Sequence, residues 1–161
     1  MNNPHSTSPS RARRHVLVAG AAVGGMLLGV RAAEAADLPA DLLAAIAAFT
    51  KGQPLREGKV RFDVAELVDN GNAVPVTVSV ESPMTAAEHV VAIAIFNESN
   101  PQRDVLDVQI GPRAGRAQVS TRIRLATSQK LVAVARMNNG SCWAKTVDVV
   151  VTLAACIEGE S

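Results

Sequence analysis

Once the first 35 residues are set aside as a leader, the side chains on which this chain could found nucleophilic chemistry are Cys142, Cys156 and His89. Cys156 stands in the closing stretch "VDVVVTLAACIEGES", three residues past a strand-like run that ends at Leu153. A core cysteine belongs inside a strand or helix, whereas this position is expected to project about 10 Å from the body. A thiol held clear of a rigid scaffold can carry a covalent cargo into another protein's active site. Glu158, Glu160 and the terminal carboxylate lie close by in sequence and disfavour the thiolate. An unperturbed thiol is only a few per cent ionised near pH 7, so activation is expected from a partner enzyme. The competing reading is a binding or assembly module whose tail cysteine is incidental.

Cys142 precedes the last strand-like run and Cys156 follows it. Eleven extended residues at about 3.3 Å each hold the two ends roughly 35 Å apart. A disulfide needs Cα atoms within about 7 Å, so the two thiols are not expected to pair. A single histidine, His89, is too little for most zinc sites or for a Ser-His-Asp triad, and it reads as a surface or hydrogen-bonding residue. Trp143 reads as core or interface packing. The sequence holds no glycine-rich phosphate loop and no metal-spaced cluster, and no cofactor is expected on it.

The leader has a basic start at Arg11, Arg13 and Arg14, an apolar stretch from Val16 to Val30, and Ala33 and Ala35 flanking Glu34 as a cleavage site. The pair Arg13-Arg14 resembles a twin-arginine export signal, which predicts the periplasm. The apolar stretch is too short and glycine-rich to anchor the chain in a membrane. Without the leader's four arginines and one glutamate, 12 basic and 14 acidic side chains remain, a net charge of −2. No basic block survives, which disfavours nucleic acid as a partner.

The elements that must position the cysteines follow from periodicity. Over "DLPADLLAAIAAFTKG", Asp37 is the expected N-cap, Gly52 the stop, and Leu42, Leu43, Ile46 and Phe49 the packing face of one helix. From Lys59 the period becomes two. "KVRFDV" reads as a half-buried strand, Asn70-Gly71-Asn72 as a turn, and Val74, Val76, Val78 and Val80 as one face of the next strand. Pro75 places that strand at an edge or lies among its first residues. "VVAIAIFN" suits a strand covered on both faces, and "NESNPQRD" a loop. "VLDVQIG", "RAQVSTRIRLA", "QKLVAVARMN" and "CWAKTVDVVVTL" complete about seven strands, the last two joined by "NNGS". Seven short strands after one N-terminal helix predict a mainly β fold, an immunoglobulin-like antiparallel β-sandwich. A free edge strand and a valine-rich surface predict a heterodimer with another small β-sandwich protein. The expected organisation is export signal 1–35, sandwich 36–153 and carrier arm 154–161.

The stretches "VDNGNAVPVTVSVESPMTAAEHVVAIAIFNESNP", "GRAQVSTRIRLATSQKLVAVARM" and "VDVVVTLAAC" resemble SoxY, the sulfur-carrying subunit of the Sox thiosulfate-oxidation system. The resemblance implies that sulfur intermediates bind covalently at Cys156 and that the chain is a carrier, not an enzyme. It also implies SoxZ as the stable partner. The SoxAX cytochrome would load thiosulfate, SoxB would release sulfate, and a molybdenum-haem dehydrogenase would oxidise the remaining sulfane. The arm departs from the family's usual Gly-Gly-Cys-Gly-Gly. Ala154, Ala155 and Ile157 flank the cysteine, which stiffens and widens the arm. That departure opens an alternative, a carrier of the same kind serving another periplasmic oxidation system.

Overall fold

A computed structural model describes residues 38–155. Two sheets face one another. The larger runs in the order β1 (Leu55–Arg56), β9 (Cys142–Val151), β8 (Gln129–Met137), β5 (Val90–Asn97), β6 (Asp104–Gln109), and β3 (Leu67–Val68) also pairs with β9. The smaller runs β2 (Val60–Asp63), β4 (Val74–Val80), β7 (Ala117–Ile123). The fold is mainly β and immunoglobulin-like, as the strand spacing predicts.

Alternation along the strands builds two cores. Val74, Val76, Val78 and Val80 all point inward from β4, meeting Ile93 and Ile95 of β5 and Leu131, Ala133 and Ala135 of β8 between the sheets. The opposite faces of β5 and β8, carrying Ala94, Phe96, Val132 and Val134, are covered by helix α1 (Ala40–Thr50). This double cover is why "VVAIAIFN" is apolar at nearly every position. Phe49 meets Phe96 edge to face, ring centroids 5.8 Å apart.

The helix departs from its sequence reading in two respects. Asp37, the expected cap, lies outside the described residues; the cap position is taken by Pro39, with no side-chain capping bond. Leu43 is exposed instead of packed, because the buried stripe runs through Leu42, Ile46 and Thr50, and Ala45 and Phe49 flank it. The helix ends where Lys51 turns left-handed at φ 56°, followed by Gly52 at φ 73°. Arg136, from β8, donates Nη1 to the Phe49 carbonyl (2.8 Å) and stacks over the Phe49 ring. It satisfies a carbonyl that the end of a helix leaves without an internal partner.

Pro75 lies in the central strand of the small sheet, not an edge strand. The β2 ladder stops at Asp63↔Thr77, so only β7 flanks β4 at Pro75, which is among the strand's first residues. Two strands escape the sequence patterns. β1 and β3 are two residues each and pair parallel with opposite ends of β9, at Leu55↔Cys142 and Leu67↔Val150. The sandwich is therefore not wholly antiparallel. The last strand ends at Val151, two residues short of Leu153.

Candidate functional site

Cys156 lies outside the described residues, as do Arg13 and Arg14, Glu158 and Glu160. The chain that leads to Cys156 is described to its neighbour, Ala155. The sequence reading gives this stretch no partner beyond Leu153; the structure ties it down. Thr152 N donates to the Val68 carbonyl (3.0 Å) and Leu153 N to the Asp69 carbonyl (3.2 Å), prolonging the β3 pairing. The Thr152 hydroxyl also donates to Asp69 O (3.0 Å). Gly71 N donates to the Leu153 carbonyl (2.8 Å), Leu125 N to the Gly71 carbonyl (2.8 Å), and Ala155 N to the Leu125 carbonyl (3.0 Å). Three segments, 69–71, 125 and 153–155, thus form one hydrogen-bonded clasp. Ala155 is only 7% exposed within it.

Gly71 makes the clasp possible. A Cβ there would lie 2.3 Å from the Leu125 carbonyl oxygen, 3.0 Å from Ala155 N and 3.1 Å from Val151 Cγ1. Backbone blocks a side chain from that space, so glycine is required by close approach rather than by an unusual φ. The Asn70 carboxamide shapes the turn by accepting from the Asn72 amide (2.9 Å).

The β7–β8 connection that presents Leu125 is held from behind by buried amides. Asn100 Oδ1 accepts from Ala126 N (3.0 Å) and Gln129 Nε2 (2.8 Å), and Asn100 Nδ2 donates to the Arg124 carbonyl (2.8 Å). Gln129 Oε1 accepts from Ser99 N (2.9 Å), and Asn97 braces the same loop through Gln102 O (2.7 Å) and Asn100 N (2.8 Å). Asn97 and Gln129 are buried with their polar atoms satisfied, which fixes the loop rigidly. Periodicity alone marks "NESNPQRD" only as a loop. Its asparagine density is the signal for a backbone-bracing cluster.

Cys142 occupies the other end of β9. Its side chain is fully buried, with Sγ 3.7 Å from the Gly140 carbonyl and 3.9 Å from that of Thr50. Burial pushes the thiol above its ordinary range, and neighbouring Arg136 offsets only part of this. A neutral, enclosed thiol is a small packing residue, not a nucleophile. β9 is unbroken over its ten residues, so about 30 Å separates Cys142 from the far end of the strand.

The remaining candidates are structural. His89 Nδ1 pairs with the Thr85 carbonyl (2.9 Å), and its amide donates to Asn138 Oδ1 (3.2 Å). Trp143 is half-buried against the core, with Arg56 and Lys59 over its ring at 5.8 and 5.5 Å. Among the described residues, no group of three or more His, Cys, Asp or Glu is arranged to hold a metal ion, and no helix is long and apolar enough to cross a membrane.

These residues build a small immunoglobulin-like sandwich with a clasped C-terminal strand, and comparison with known proteins gives the family. The family model for the sulfur oxidation protein SoxY matches residues 46–156. Among solved structures, the sulfur carrier protein SoxY from Chlorobium limicola f thiosulfatophilum is 31% identical with a TM-score of 0.59, over 70% of this chain and 96% of that one. A superoxide reductase (neelaredoxin) variant from Ignicoccus hospitalis is 22% identical with a TM-score of 0.53, over 65% and 86%. A putative superoxide reductase from Thermotoga maritima is 20% identical with a TM-score of 0.50, over 64% and 89%. These last two share the fold alone. No curated protein sequence matches the chain. The chain belongs to the SoxY family.

Proposed function

We propose that this chain is a covalent sulfur carrier of thiosulfate oxidation, bearing its cargo on Cys156 and handing it between enzymes without catalysing a step itself. The observation that carries the reading is where the family match stops: it runs from residue 46 and closes on Cys156. The solved relative that covers most of the chain is named for sulfur carriage. The burial of Cys142 supports the same assignment, since it leaves the chain's other thiol unfit for exchange.

The twin-arginine pair Arg13-Arg14 supports export to the periplasm. A SoxZ-type subunit is the stable partner, and β2, β7 and β6, each paired on one side only, offer edges for it. SoxAX-, SoxB- and dehydrogenase-type enzymes act in turn on the loaded thiol. A second reading is favoured by one feature. Ala154 and Ala155 replace the expected glycines, and Ala155 is hydrogen-bonded to the body. That suits a carrier serving a partner set with wider entrances than those built for a slim glycine arm.

Intact-mass spectrometry of the protein purified from thiosulfate-oxidising cells tests the assignment. Sulfur or thiosulfonate adducts on Cys156, absent in Cys156→Ser, are expected. An unmodified thiol under those conditions would return the chain to the class of plain binding modules.

A further inference from the structure

The least covered large apolar side chains of the described fold include three at the end of β9. Leu67 is 62% exposed, Val150 53% and Leu153 67%. Leu67 and Val150 are register partners across the β3–β9 ladder, and Leu153 follows three residues on. The same segment leads to Cys156. Cys156 comes one peptide link after Ala155, so its Cα lies about 3.8 Å from that of Ala155 and its sulfur only a few ångströms further. Ala155 itself is buried and bonded to Leu125.

We infer that Leu67, Val150 and Leu153 form the docking surface for the enzymes that act on the carried sulfur; this rests on the carrier reading above. With Ala155 clasped, an enzyme cannot reach the sulfur of Cys156 without coming against the body beside it. The surface it meets there is apolar. Together the three side chains expose on the order of a few hundred Å². A stable heterodimer buries about 800 Å² a side, so this surface fits a transient visitor rather than a permanent subunit. Glu66 and Asp69, both exposed, flank the β3 residues. The partner chemistry is therefore an apolar collar around an active-site opening, with basic side chains outside it.

The test uses the full exported chain with its SoxZ-type partner. Tetrathionate loads the thiol: the Cys156 thiolate displaces thiosulfate from tetrathionate and leaves a cysteine S-thiosulfonate. A SoxB-type hydrolase then adds water to the terminal sulfone, giving sulfate, two protons and the cysteine persulfide. Leu67→Glu combined with Leu153→Glu is expected to lower kcat/KM for sulfate release at least tenfold, with kcat at saturating carrier within twofold of wild type. Loading by tetrathionate, which needs no protein docking, stays within twofold. Inserting Gly-Gly after Ala155 frees the sulfur from the surface, and the same double substitution then costs less than threefold. An unchanged kcat/KM overturns the docking surface while leaving carriage intact. Loss of the SoxZ-type subunit from the variant makes the surface a permanent interface and overturns the proposal. So does a wild-type self-dimer that the substitutions dissolve. Failure of tetrathionate to modify Cys156 at all overturns the carrier reading, and the docking surface with it.

Discussion

At the N-terminal end of β9, Cys142 is enclosed by the last turn of α1, the Gly140 carbonyl and Arg136; some 30 Å away, the strand leaves the core through exposed Leu153 and a three-segment clasp. One strand thus holds a thiol in an apolar enclosure at one end and leads toward a second at the other. The first end is covered by tertiary packing, since α1 lies across the outer face of β8 and β9 there. The second end is held by backbone hydrogen bonds and has little side-chain cover. A carrier needs that asymmetry: the residue bearing cargo must be placed reproducibly while its surroundings stay open to a visitor.

The largest effect expected is on cargo. Cys156→Ser should abolish sulfur adducts in intact-mass spectra, while Cys142→Ala keeps them. Titration with a thiol reagent should find one reactive group in the native chain and two after denaturation. Rapid reaction of both thiols in the native state would erase the difference between the ends.

At the packed end, Leu42→Ala empties a fully buried site between α1 and the sheet. It should cost about 2–5 kcal/mol in denaturant unfolding. At the clasp, Gly71→Ala forces a methyl group against the Leu125 carbonyl. It should cost about 1–3 kcal/mol. Hydrogen exchange then separates the two variants. Gly71→Ala should speed exchange at the Ala155 and Leu125 amides well before the β8 ladder, and Leu42→Ala should not. Equal acceleration at both ends would mean that β9 behaves as one cooperative unit.

The smallest effects are in pH. The Arg103 guanidinium, bonded to Asp41 Oδ2 at 2.7 Å, holds that carboxyl below its ordinary value, with the Leu42 amide helping. A depressed pKa contributes stability above the unfolded value and loses it as pH falls through the folded one, so Asp41→Asn should flatten the acid limb of the stability profile slightly. Cys142 works in the opposite sense. Its raised pKa keeps the proton in the fold after the unfolded chain has lost it, so stability falls as pH rises past about 9. Cys142→Ala should remove that alkaline slope.

Much of the fold is legible because its signals are local. β4 shows its buried face in Val74, Val76, Val78 and Val80, and β5 shows double cover in eight nearly unbroken apolar residues. The helix is legible in extent, but Leu43 is not, since two apolar residues in a row leave the stripe's angle to be decided by what it packs on. β1 and β3 have no periodicity to read, being two residues each and existing only through β9. The turn at Gly71 is plain in "DNGN". Its task is not, because the atoms that crowd it come from residues 125, 151 and 155.

The order of residues is enough to specify the class of fold, the two cysteines on either side of one long strand, and the family motif that closes on Cys156. Those are matters of covalent spacing and of side-chain alternation along a strand. Which cysteine is sealed, and how firmly the chain beside the other is held, emerge only from the folded molecule. Both depend on helix α1 and the 69–71 and 125 segments being brought against β9 from elsewhere in the chain, and burial and hydrogen bonding are properties of that assembly.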